Sequence, residues 1–478
     1  MRKQQVKLII IAFIALAAAL ALFACNSKPV ILTIDGDIEG GIAETDLAKL
    51  KAVKFSYDDD GETVEAKGYG LSGILEGIKM LYPDNKIMIT ASDGVSAVVR
   101  YPLTSDIYIY INDNGAVCAK GIGYPKVVGI KDIAEITVIT QNEATEGYRI
   151  VSPLSDTVFV SRGNAKLRLF DFIAENHLGE NIAEKYEKGK GFAVSDFTDK
   201  VKNAVYFEDY DILPDAGGAP LDWKGGKLVC KTGEEYKPVF GFAVNADKLI
   251  LDAFADMKNA LDGGKKVMFI LPDGFSLQQA EHFKDYLTTL KMGDNTAIAA
   301  STNLSISPVA LAAIVTGQSP FVNGVHFDKG ESRAVLPVKV DDIFKYAENQ
   351  GKSVSYIEGK GNLIITSVND KVTYSVSDQR AYQNGIKAIN DGADLIFIHF
   401  HEIDDVNHSD GPLSDEAKDK LLEIEGYIED LISRFDGTVI IVPDHGHNTL
   451  YDAGGNAYGA HGLFTSLDMF VPYYVFEG

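Results

Sequence analysis

The sequence predicts an α/β protein, with a mostly parallel sheet carrying helices on both faces over residues 245–478 and a smaller mixed α+β, β-rich domain before it. Two observations carry that prediction. From Lys248 onward, short apolar runs alternate with segments of helical periodicity, the pattern of successive β-α units. The run Val439–Val442 (VIIV) is four β-branched residues without a polar break, as in a strand buried on both faces. That run stops at Pro443 and delivers Asp444, His445 and His447 at its carboxyl end, where open α/β sheets hold their ligands.

The front of the chain reads as a targeting segment. Arg2, Lys3 and Lys7 precede an apolar or small-residue run from Leu8 to Ala24, short for a span of about 20 residues. The run ends in Leu22-Phe23-Ala24-Cys25, which resembles a bacterial lipoprotein signal: residues 1–24 are removed, Cys25 is lipidated, and residues 25–30 form a tether. Several acyl chains on one cysteine suffice for stable anchoring, where a single chain is marginal. The expected location is the extracytoplasmic face of the cell membrane. Taking three positive charges from the net charge of −23 leaves −26 for the mature chain. So acidic a surface argues against a nucleic-acid polymer as partner. Cys118 and Cys230 are the other cysteines, too few and too far apart to signal a disulfide framework.

Residues 31–142 alternate short strands with one helical stretch, Leu71–Met80. Strands are expected at Lys86–Thr90, Val95–Arg100, Ile107–Ile111 and Ile136–Ile139, with turns at Asp93-Gly94 and Asn114-Gly115. Gly70-Leu71-Ser72, Ala91-Ser92-Asp93-Gly94, Asn114-Gly115 and Gly123–Val128 resemble the molybdopterin-binding domain of the sulfite oxidase family. That family binds molybdenum through a cysteine thiolate. Cys118 follows the Asn-Gly turn, away from the place expected of that ligand, so the expectation is a structural or ligand-binding module without the cofactor. Residues 143–244 give no assignment beyond a helix at Leu167–His177 and a Pro- and Gly-rich connector at Asp211–Gly226.

In the last domain, strands are expected at Lys266–Leu271, Ser353–Ile357, Leu395–Phe400, Val439–Val442 and Met469–Phe476. Helices are expected at Leu277–Lys291 and about 341–350, 378–391 and 414–435. Asp273 ends the first of these strands. Asp404 and His408 follow the strand LIFIHF at a spacing that places both on one helical face, in reach of one metal ion. Asp444-His445 ends the next strand, and His461 stands in Gly459-Ala460-His461-Gly462. Seven of the nine histidines follow residue 320, as a metal site in this domain requires. The nucleophile candidate is Ser307, read as the N-cap of an Ala-rich helix with Pro308 as its first residue. A serine there sits where the helix N-terminus favours a phosphate, and Ser305 is its nearest competitor.

These motifs resemble the alkaline phosphatase superfamily, closest to its type I phosphodiesterase and nucleotide pyrophosphatase branch. The segments concerned are Leu271-Pro272-Asp273-Gly274, Ser307-Pro308 through Thr316–Pro320, Asp404-xxx-His408, Asp444-His445-Gly446 and Ala460-His461-Gly462. The resemblance implies one metal on Asp404, His408 and His461. It implies a second on Asp273, Ser307, Asp444 and His445, with zinc the best match to the donors and manganese a second choice. It further implies hydrolysis of a phosphate-ester small molecule or a lipid head group through a phosphoserine intermediate. Three positions depart from the pattern: serine replaces the branch's usual threonine, Asn323 stands where histidine is common, and His447 stands where an apolar residue is common. His399 and His401 are read as packing or supporting residues. A sulfatase would need an arginine in the Ser307–Leu311 string, and none is present. Two other readings stay open: transfer of the phosphoryl group to a lipid or glycan, and a surface ligand-binding lipoprotein on an inactive scaffold.

Overall fold

The computed structural model describes residues 29–59, 61–189, 193–195, 203–293, 296–327 and 335–478. The targeting segment and Cys25 lie outside the described residues. No helix among the described residues is long and apolar enough to cross a membrane.

The chain divides into two compact units, one built from residues up to Ala144 with Ser161–Lys190, the other from Thr145–Val160 with Gly191–Gly478. The segment that the sequence left unassigned is thus shared between them. The first unit holds a seven-stranded and a four-stranded sheet around a core that includes Ile34, Ile87, Ile136 and Val138. Its buried Lys166 ammonium sits 2.8 Å from both Asp35 and Glu135. The expected helix at Leu71–Met80 stops at Leu75. Gly73 and Gly77, the poorest helix formers after proline, interrupt the pattern. Leu167–His177 is not helical either. A helix ends at Leu167, and Phe170–Leu178 is a strand paired antiparallel with Asn181–Lys188. Gly179, at φ +60°, makes the tight hairpin that commits the segment to a ladder.

In the second unit an eight-stranded sheet forms the centre. Its strands are β1 (Lys248–Leu249), β2 (Val267–Pro272), β3 (Thr296–Ala300), β4 (Val354–Glu358), β5 (Thr373–Tyr374), β6 (Leu395–Phe400), β7 (Thr438–Ile441) and β8 (Phe470–Glu477). Their order is β1-β3-β8-β7-β2-β6-β4-β5, and only β8 runs antiparallel to its neighbours. The helices are α1 (Asp252–Asp262), α2 (Leu277–His282), α3 (Ser307–Thr316), α4 (Ile343–Asn349), α5 (Asp378–Asn390), α6 (Glu402–Asp410) and α7 (Asp415–Arg434). Two apolar cores lie on opposite faces of the sheet. Phe269, Phe397 and Leu271 point to one, with α1, α3 and α4, while Met268, Ile396 and Ile398 point to the other, with α5 and α7. This alternation is the period-two geometry of a strand covered twice.

The expected long helix from Leu277 is only α2, which begins in a capping box between Ser276 and Gln279 and ends at His282. The backbone N–H groups of Thr288, Thr289 and Leu290 donate instead to the Glu425 carboxylate at 2.8–2.9 Å. A charged acceptor on α7 therefore takes the donors that a helix would have used.

Phe397 anchors the first core: its ring lies 4.8 Å from Phe269, 5.5 Å from Phe344 and 5.3 Å from Tyr356. Phe397→Ala is expected to destabilise this unit by about 3–5 kcal/mol, measured as a lowered denaturation midpoint. An unchanged midpoint would contradict the packing described.

Candidate functional site

The register of the sheet decides what meets at its carboxyl edge. β2 is flanked by β6 and β7, both parallel to it, so Asp273 after β2, α6 after β6 and Asp444-His445 after β7 emerge side by side. One turn of α6 brings Asp404 Oδ2 within 3.4 Å of His408 Nε2. His461 follows the hairpin of Asn448–Tyr451 and Ala457–Ala460. Its Nε2 is 3.1 Å from His408 Nε2 and 3.7 Å from Asp404 Oδ1. His445 Nε2 is 3.5 Å from Asp273 Oδ1 and 3.3 Å from Asp444 Oδ2. Six of the seven residues singled out in the sequence therefore converge.

Ser307 is the first residue of α3, with Ile306 as N-cap and Pro308 second, so the helix begins one residue earlier than the sequence suggests. Its hydroxyl donates to Asp273 Oδ1 at 3.3 Å and lies 3.2 Å from His445 Nε2. Ser305 is engaged elsewhere, donating to the Leu463 carbonyl at 3.0 Å. The helix end does not form a nest of free N–H groups: Pro308 has none, and those of Val309 and Ala310 are given to the Ile306 carbonyl. What α3 offers an anion is its macrodipole.

The fit to metal ions rests on atoms left without partners. Asp404 Oδ1, Asp444 Oδ2 and His447 Nε2 are buried and make no hydrogen bond. Such atoms cost free energy unless a cation or donor faces them. The donor atoms fall into overlapping groups, Asp404-His408-His447-His461 and Asp273-Asp404-His445, each within 4.8 Å. Burial, then the charge of Asp273, pushes the Asp444 carboxyl well above its ordinary value. Burial, then the charge of His461, holds His445 well below the usual imidazole range, and burial first of all lowers His461 to about 4. Both rings are thus neutral at pH 7, the form that binds metal.

Two features escaped the sequence reading. Glu358, at the end of β4, lies opposite His399 in the parallel register. His399 and His401 fill the space between Glu358 and Asp273. His399 Nε2 is 3.1 Å from Asp273 Oδ2, and His401 Nε2 is 2.6 Å from Glu358 Oε1. Burial opposes charge on Asp273, but these histidines outweigh it and hold its carboxyl well below the ordinary value. A carboxylate closing a parallel strand was the available signal for Glu358. His447, which stands where an apolar residue is common, is fully buried beside Asp404. Asn323 bonds the Gln318 carbonyl and the Val325 N–H, so it braces its own turn.

Residues 339–459 match the family model described as type I phosphodiesterase / nucleotide pyrophosphatase. No curated protein matches the chain by sequence. Among solved structures, it is similar to phosphonoacetate hydrolase from Sinorhizobium meliloti 1021 in complex with phosphonoformate, at 17% identity and a TM-score of 0.33. The same enzyme with phosphonoacetate gives 16% and 0.33. Murine ectonucleotide pyrophosphatase / phosphodiesterase 5, an inactive variant in complex with AMP, gives 16% and 0.29. In each case 40% of this chain is covered, and the chain spans 59% of the other's length. The segment of this chain that supplies Asp404, His408, Asp444 and His445 thus matches the type I phosphodiesterase / nucleotide pyrophosphatase family, the branch its strand-end motifs resemble.

Proposed function

We propose that residues 245–478 hydrolyse phosphoric esters, with Ser307 as nucleophile beside a site for two divalent ions. The observation that carries this reading is the position of the Ser307 hydroxyl, against both Asp273 and His445 at the start of a buried helix. Asp404, His408 and His461 would hold one ion, and Asp273, Asp444 and His445 with Ser307 the other. Zinc suits the mixture of imidazole and carboxylate. Bound divalent ions supply Lewis-acid chemistry, lowering the hydroxyl pKa and neutralising phosphoryl oxygens.

The chain's own part is alignment. Ser307 Oγ, held by its hydrogen bond to Asp273 Oδ1, attacks phosphorus in line as the bond to the leaving oxygen breaks; the hydroxyl proton passes to solvent, and water protonates the departing alkoxide to the alcohol. Water then cleaves the phosphoserine, freeing the phosphate product and Ser307. The helix macrodipole of α3 favours the negative charge gathered at its N-terminus. The substrate class proposed is a phosphate-ester small molecule or a lipid head group, met at the extracytoplasmic face of the cell membrane, where lipidated Cys25 would hold the protein. That location is supported by the sequence of residues 1–25 alone.

Activity of the full chain toward bis(p-nitrophenyl) phosphate and the monoester, before and after chelation, tests the reading. Loss on chelation and recovery with zinc or manganese is expected. Ser307→Ala should lower kcat by at least about 10³-fold. Full activity in Ser307→Ala, or in a chelated enzyme, would remove the proposal. Gly274 offers a further test, since its φ of +72° and an added Cβ 2.7 Å from His447 and 3.0 Å from Asp404 leave no room for a side chain. Gly274→Ala is expected to lose activity together with metal content, both measured on folded protein.

A further inference from the structure

The two-metal reading assigns three protein ligands to the Asp404 site, and the structure holds a fourth residue arranged as they are. His408, His445 and His461 each place Nδ1 by a backbone carbonyl, of Gly459 at 3.0 Å, Gly446 at 3.2 Å and Ser305 at 3.1 Å respectively. A carbonyl only accepts, so each Nδ1 carries the proton and each Nε2 is left as a lone pair. His447 repeats this arrangement: its Nδ1 is 3.3 Å from the Gly274 carbonyl. Asn407 Nδ2 also lies 3.4 Å from that nitrogen. It has acceptors for both its hydrogens, however, in the Gly274 carbonyl at 3.0 Å and Gln279 Oε1 at 3.5 Å. His447 therefore donates through Nδ1, and its Nε2 is a lone pair.

That lone pair faces Asp404. His447 Nε2 and Asp404 Oδ1 are 3.1 Å apart, both buried, and neither has a partner other than the atoms gathered at this site. A lone pair and a carboxylate oxygen in that relation repel unless a proton or a metal cation lies within reach of both. The donor atoms of Asp404, His408, His447 and His461 all fall within 4.8 Å of one another. The seat of the ring is made by two glycines: an added Cβ would be 2.7 Å from His447 Cε1 at Gly274 and 3.0 Å from Cδ2 at Gly459.

We propose, resting on the two-metal reading, that His447 is a fourth protein ligand of the Asp404-His408-His461 metal site. The set becomes three imidazoles and one carboxylate. It selects ions that favour imidazole over those that favour oxygen. At the other site, Asp273 and Asp444 bring two carboxylates to a single imidazole, so the two positions differ in charge and donor type.

Cobalt(II) titration of the metal-stripped full chain tests this, read by stoichiometry, by visible absorption, which responds to donor set and coordination number, and by competition with a chelating dye. The wild type is expected to bind two ions. His447→Leu and His447→Gln should each weaken one of the two by at least about 100-fold and change its absorption band. Glutamine can restore a hydrogen bond to Asp404 or Gly274, so a purely positioning role would be rescued by it. Wild-type affinity and an unchanged band in His447→Gln would therefore overturn the ligand assignment, while two ions in the wild type left the two-metal reading intact. A wild type that binds no cobalt would overturn both. Should His447→Leu fail to fold, His447→Gln decides alone.

Discussion

Three carboxylates crowded into one dry place set the terms for everything around them. Asp273 and Asp444 are essentially buried and Asp404 is partly exposed, and Asp273 and Asp404 are near enough to share one ion. Like charges at such separations repel strongly in a low-dielectric interior. The protein answers on one side with His399 and His401, which tie Asp273 to Glu358. On the other side it presents orphaned nitrogen and oxygen atoms that a cation or a hydrogen-bond donor would satisfy. Much else follows from that division. The glycines at 274 and 459 give the rings space, and backbone carbonyls fix which nitrogen of each ring looks inward.

The sheet makes this crowding possible. β6, β2 and β7 are adjacent and parallel, so three successive strand ends present their next residues within a few ångströms. These strands carry Val, Ile, Leu and Phe on both faces, and each large side chain fully buried contributes roughly 1.5–3 kcal/mol. That burial offsets the cost of holding polar groups at the edge.

Much of the site was legible because parallel strands announce themselves. VIIV and LIFIHF are runs that only double burial explains, and the residues after them are the ones that meet. Fold class and five of the sheet's eight strands could be read for the same reason. Helix lengths could not. Leu277–Lys291 has helical spacing, yet Glu425, 135 residues or more away in sequence, captures its later N–H groups. Phe170–Leu178 could equally have been helix or strand until its hairpin partner was known. The same blindness to distant partners left His447 undecided and Glu358 unnoticed. The N-cap error at Ser307 is smaller: Ser-Pro fixes where a helix begins but not which residue is its first.

From Pro308 to Thr316, α3 is buried at every position. A helix with no solvent-facing side has no soft direction in which to slide or turn, since any displacement opens a void on one flank and a clash on the other. The hydroxyl at its tip inherits that stiffness. On the proposed chemistry, substitutions along α3 would be felt at Ser307 as misdirected attack rather than as altered binding.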